Sequence, residues 1–151
     1  RLVKLTLEYQ GTQYKGWQSQ TKDTRGVAGL LADMEAMAPG QRSGKAPKKH
    51  DLIATLQDTL ESAIWRLTGE VLRTRSCSRT DSGVHALGHV AVFTTASPLT
   101  DEAFLIGLNH RLPKDVSVRR VETVDSSFEP RSSKRKMYRY TIATGRIRPA
   151  L

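Results

Sequence analysis

The sequence predicts an α+β chain: a mostly antiparallel sheet with helices on one face. Two periodicities and one order of elements predict it. The opening RLVKLTLEY alternates apolar and polar residues with the period of two that marks a half-buried strand. Further on, Ile53, Leu56, Leu60, Ala63, Ile64 and Leu67 recur at the helical period and form one apolar stripe. The elements then run strand, helix, strand, strand, helix, strand, strand, which is a split β-α-β order with a ferredoxin-like arrangement.

The elements follow in turn. In the first strand Val3, Leu5, Leu7 and Tyr9 face one way, and Lys4, Thr6 and Glu8 the other. A Gly-rich turn, QGTQYKG, follows and ends at Trp17. Residues 21–52 break the pattern as an insertion. They hold a helix-compatible piece at 27–37, and then a Pro/Gly/Ser/Lys stretch at 39–50 that reads as a mobile basic loop. The striped helix stops near Gly69. A strand over 71–77 is expected to lead into a loop carrying Asp81, and one over 89–95 to leave it. Thr100, Asp101 and Glu102 suit a helix start, with Ala103, Phe104 and Leu108 on the buried side and Pro113 beyond the end. Strands are expected over 116–124 and 137–143, the last with Tyr138, Tyr140 and Ile142 on one face.

Composition bounds the function. The 151 residues carry 24 Lys and Arg against 15 Asp and Glu, a net charge of +9. The excess is uneven: residues 1–110 hold 13 basic and 11 acidic side chains, residues 111–151 hold 11 and 4. A basic section of this kind suits a polyanion such as nucleic acid, or simply a solvated surface. Its strand-like alternation does not suit a membrane-surface helix. No apolar run reaches the roughly 18–20 residues that span a bilayer. The one cysteine, Cys77, cannot form an internal disulfide, which points to a reducing compartment, and it reads as a small buried strand residue. The chain opens on Arg1 rather than Met, so a native N-terminus is expected to lie outside it.

Among motifs, no phosphate-binding or dinucleotide-binding glycine loop is present, and no CxxC. His85 and His89 are four apart, as in a helical zinc pair, but Gly88 and the alternation that follows argue for a strand, and no metal is expected. Asp81 stands in SRTDSGVHALGHV. Thr-Asp-Ser-Gly is ordinary turn composition, so Asp81 reads as a turn-former. With Arg79 beside it, the same carboxylate also reads as an ionised nucleophile.

The string SRTDSGVHALGHVAVF resembles the aspartate motif of the TruA-type tRNA pseudouridine synthases, whose core reads like GRTDxGVHA. Other segments resemble the same family in the same order: LTLEYQGTQYKGWQSQ, TLQDTLESAIWRLTGE, GLNHRLPKDVSVRRV with its Asn-x-x-Leu-Pro, FEPRSSKRKMYRYTI, and RIRPA. The likeness covers almost everything outside residues 21–52, where this chain is longer than the family pattern. The spacing from Arg131 to Tyr138 is one residue shorter than usual.

The resemblance implies a ferredoxin-like (RRM-like) half of a pseudouridine synthase fold. Residues 1–151 would be the N-terminal subdomain that binds RNA and carries the catalytic aspartate, with the C-terminal half missing. It implies isomerisation of uridine to pseudouridine in the anticodon stem-loop of tRNA, at positions 38–40, with no cofactor and no metal. Asp81 would be the nucleophile. Arg79 would fill the place vacated by a flipped base, and Tyr138 would stack on the uracil. Arg131, His85, Lys134, Arg135 and Arg111 would contact substrate or RNA. The implied partner is tRNA, the implied state a homodimer, with no membrane. The implied compartment is the cytoplasm, or an organelle or nucleus in a eukaryote. Two other functions stay open: a non-catalytic RNA-binding module with an incomplete active site, and a hydrolase of small glycosides. The second needs another acid about 5–10 Å from the first, and none is evident.

Overall fold

The computed structural model describes residues 1–36, 55–142 and 144. The basic stretch at 39–50, Ile53 and the RIRPA segment lie outside the described residues. Four strands, β1 (Leu2–Tyr9), β2 (Arg75–Ser76), β3 (Ala86–Thr94) and β4 (Val116–Val124), form one antiparallel sheet in the order β2-β3-β1-β4. The helices are α1 (Gly26–Ala36), α2 (Leu56–Thr68) and α3 (Asp101–Arg111). This is the α+β, ferredoxin-like arrangement that the order of elements predicts.

The alternation of β1 sets the core. Val3, Leu5, Leu7 and Tyr9 are buried with Ala91 and Phe93 of β3, Val116 and Val118 of β4, and Leu56, Leu60 and Ile64 of α2. From α3, Phe104 meets Phe93 edge to face at 5.6 Å, and Leu108 is fully buried beside it. Ala103, expected on that side, is half-buried. Thr55 caps α2 by accepting the Asp58 N–H, and Gly69 ends it with a left-handed φ of 78°. Thr100 caps α3 in the same way. Near the end of α3, the Asn109 side chain pairs with both the N–H and the C=O of Val118, each at 2.9 Å. The Asn of Asn-x-x-Leu-Pro therefore locks α3 to the edge strand β4.

Two expected strands differ from the structure. Within 71–77 the strand is Arg75 and Ser76, paired with β3, and Cys77 adds one N–H bond to Val90 O at 2.9 Å. Ahead of them the backbone of Thr74 is taken by helix side chains: its N–H donates to Glu61 and its C=O accepts from Gln57. Those groups are lost to a ladder. Cys77 follows β2 directly and is half-buried rather than buried. Over 137–142 no strand forms. Pairing needs a neighbouring ladder and a covered face, and the segment has neither among the described residues, so Met137, Tyr138, Tyr140 and Ile142 stay exposed.

Candidate active site

The Asp81 loop joins β2 to β3 and turns at Ser82-Gly83. The Val84 N–H reaches the Asp81 carbonyl at 3.2 Å, and Gly83 supplies the positive φ of 80°. The Asp81 side chain is exposed.

What holds this loop is the Gly-rich turn after β1. Trp17 N–H donates to Thr80 O at 2.9 Å, Gly83 N–H to Tyr14 O at 3.3 Å, and Ser82 Oγ to Tyr14 O at 3.1 Å. From the other side the Gly11 N–H donates to His85 Nδ1 at 3.2 Å. The approach leaves no space for side chains. A Cβ on Gly11 would collide with the Val84 carbonyl, and one on Gly16, whose φ is +86°, would lie 2.6 Å from Thr80 O. The same turn closes the start of α2: Gly16 O and Trp17 O accept the N–H groups of Leu56 and Gln57. Helix-end donors that would otherwise be orphans thus tie α2, the turn and the Asp81 loop into one unit.

Beneath the loop lies a buried aromatic layer. Tyr9 Oη bonds Thr80 Oγ1 at 2.9 Å and reaches His89 Nδ1 at 3.4 Å. Trp17 stacks on His89 with centroids 4.1 Å apart. Burial pushes the Tyr9 hydroxyl up to about 12. Burial, and secondarily the charge of Lys136, pushes His89 down to about 4, so its ring is neutral at pH 7. Its Nε2 has no partner among the described residues.

Beside the loop is an open concavity of about 490 Å³. Arg73, Arg75, Arg79, Arg131 and Lys136 line it together with Trp17, Gln57, Ser76 and Ser78, and no carboxylate does. Arg73 is paired with Glu61 at 2.8 Å and Arg75 with Glu129 at 2.9 Å. Lys136 Nζ donates to Cys77 O. Among the described residues no carboxylate pairs with Arg79 or Arg131. Unneutralised guanidinium groups in a concave wall favour phosphate.

The structure therefore brings Arg79 and Arg131 into one pocket. Asp81, two residues beyond Arg79, lies outside its lining. His85 sits at the loop base on the Gly11 amide. Tyr138 is exposed, with no hydrogen bond or ring contact among the described residues. Lys134 and Arg135 are exposed on the irregular segment after the 3-10 turn Pro130–Ser132. Arg111 caps helix carbonyls, donating to Gly107 O and Arg66 O, and is absent from the pocket lining. Sequence reasoning missed Arg73, Arg75, Gln57 and Glu61. The signals were present: Arg73 and Arg75 share one face by alternation, and Gln57 and Glu61 share a helix face at i, i+4.

The combination is a ferredoxin-like sheet whose clamped Asp81 loop lies beside a cation-lined concavity. No family profile matches the chain. It is similar to curated proteins called tRNA pseudouridine synthase A. The match to that of Clostridium botulinum (strain Alaska E43 / Type E3) is 40% identical over 143 residues, covering 94% of this chain and 46% of the relative. That to the Acetivibrio thermocellus protein is 38% identical over 152 residues, covering all of the chain and 50% of the relative. For Yersinia pseudotuberculosis serotype O:1b (strain IP 31758) the identity is 33% over 150 residues, covering 99% and 46%. Over nearly its whole length the chain is similar to TruA-type tRNA pseudouridine synthases, and it spans about half the length of the curated relatives it matches.

Proposed function

We propose that this chain carries the catalytic aspartate of a tRNA pseudouridine synthase that converts uridine to pseudouridine in the anticodon stem-loop. The observation that carries the reading is the exposed Asp81, held on a backbone-clamped loop two residues from Arg79 in a cation-lined concavity. The N1–C1′ bond breaks, C5 bonds to C1′, and the proton lost from C5 is balanced by the one gained at N1. Positive charge develops on the ribose, and the fixed Asp81 carboxylate stabilises it or adds to C1′. A paired uridine presents neither C1′ nor C5, so the nucleotide flips out at a cost of a few kcal/mol. Arg79 props the vacated place, and Arg131 and Lys136 hold flanking phosphates. Tyr138 stacks on the uracil, which requires the 137–142 segment to dock when RNA binds. His85 acts on the loop rather than on the substrate, and Lys134, Arg135 and Arg111 meet the RNA backbone at the rim. The partner is tRNA in the cytoplasm, and the working state is a homodimer. None of the described helices is long and apolar enough to cross a membrane.

Tritium release from tRNA labelled at uridine C5 tests the reading, using the protein expressed from its own gene. Asp81→Asn is expected to bind tRNA normally and release no tritium; release at the wild-type rate removes Asp81 from the chemistry. One observation favours a second reading, an RNA-binding module without catalysis: Asp81 lies outside the pocket lining. That reading predicts tRNA binding with no tritium release from the wild-type protein itself.

A further inference from the structure

Glu61 is the most enclosed ionisable group of the described chain, with its side chain fully shielded from solvent. It receives four donors. Arg73 Nη1 lies at 2.8 Å, Thr74 N–H at 2.7 Å, Thr74 Oγ1 at 3.0 Å and Gln57 Nε2 at 2.9 Å. Three of these partners, the Arg73 cation among them, can only donate, and the fourth, the Thr74 hydroxyl, can also donate, so the set fits a carboxylate. Burial works against that charge and raises its pKa from the usual value. Burying an ion pair of this kind is a poor route to stability, because desolvation consumes most of the attraction. Its geometric effect is larger. Arg73 Nη1 is pinned between Glu61 and the backbone of Gly26, where a Cβ would collide with it. Nε and Nη2 of Arg73 have no partner among the described residues, and Arg73 lines the concavity with Ser76 and Ser78.

We propose that Glu61 is a positioning residue: it holds the Arg73 guanidinium so that its free edge binds a phosphodiester oxygen of the RNA in the concavity. The proposal rests on the reading of this chain as a tRNA-modifying enzyme. Arg73 supplies the contact, and Glu61 acts only through it. The Thr74 and Gln57 bonds to the same carboxylate fix the wall from which Arg73 projects.

The test measures binding of an unmodified tRNA transcript against salt, together with KM and kcat for tritium release, in wild type, Glu61→Gln, Arg73→Ala and the double variant. Arg73→Ala is expected to raise KM about tenfold with kcat unchanged, and to flatten the slope of log affinity against log salt by about one. Glu61→Gln is expected to do most of the same although the Arg73 charge remains, and the double variant to be no worse than Arg73→Ala. A purely structural Glu61 would lower the urea midpoint and leave the salt slope alone. The proposal is overturned if Arg73→Ala leaves slope and KM unchanged, if Glu61→Gln does so, or if the two losses add. Should Glu61→Gln not fold, Arg73→Lys decides: a positioned fork predicts a loss near that of Ala, a mere point charge predicts none. Failure of the wild type to bind tRNA or release tritium instead defeats the functional reading on which this rests.

Discussion

The Asp81 loop and the 137–142 segment both carry residues proposed to act in one reaction, yet they are held in opposite ways. The loop is bonded through backbone groups to a turn some 65 residues earlier, and it rests on the buried Tyr9–His89–Trp17 layer. The segment exposes Met137, Tyr138, Tyr140 and Ile142, and 88% of Met137 is open to solvent. Electrostatic catalysis depends on fixed groups aimed in advance. On the function proposed above, the difference means that the carboxylate is prepared before substrate arrives, while the tyrosine proposed to stack on the uracil is ordered by what binds.

Breaking the clamp gives the largest expected effect. Gly16→Ala forces a side chain into a left-handed backbone and against Thr80 O. It should cost about 4 kcal/mol in urea unfolding. A cost below about 1 kcal/mol would mean that the two loops separate easily.

The buried layer gives the next effect, through pH. His89 has a folded-state pKa depressed to about 4, so between there and the ordinary 6.5 the unfolded chain binds the extra proton. Its contribution is complete above about 6.5 and is lost as pH falls through 4, by up to about 3 kcal/mol. His89→Gln removes that titration, so the stability of the variant should fall less over this window. Parallel pH curves for the two proteins would refute the assignment.

Tyr9→Phe removes one hydrogen bond to Thr80 and should cost about 1 kcal/mol. Amide exchange in the Asp81 loop should quicken while that of β4 stays the same. Last, Tyr138→Phe should change stability by less than about 0.5 kcal/mol, because nothing packs on the ring. A larger loss would show that the segment is already docked in the free protein, and the contrast would vanish.

The legible parts of the fold were those with a local signal. β4 spans the predicted 116–124, because it is rich in β-branched residues and follows Pro113, although its alternation breaks at Arg119–Arg120, where the pairing with β1 shifts register. The Thr100 cap and the Gly69 stop depend on neighbours within four residues. The strand expected over 71–77 shrank to two residues because Glu61 and Gln57, 13 and 17 residues earlier on α2, take the backbone of Thr74. Asp81 and Arg79 could be picked out from a short string. The use of Gly11, Gly16 and His85 as fasteners could not, since each acts on a residue more than 60 positions away. Arg73 and Arg75 share one face by alternation, but the excess of basic residues lies at 111–151, so charge density does not single them out.

Gly11 and Gly16 carry one further consequence, for anyone wishing to transplant this acidic bend onto another scaffold. The nine residues around Asp81 are not a portable module, since the surfaces that shape them belong to a different stretch of chain. A working graft would have to move both pieces together, and a library that randomises one while freezing the other would return mostly misfolded clones.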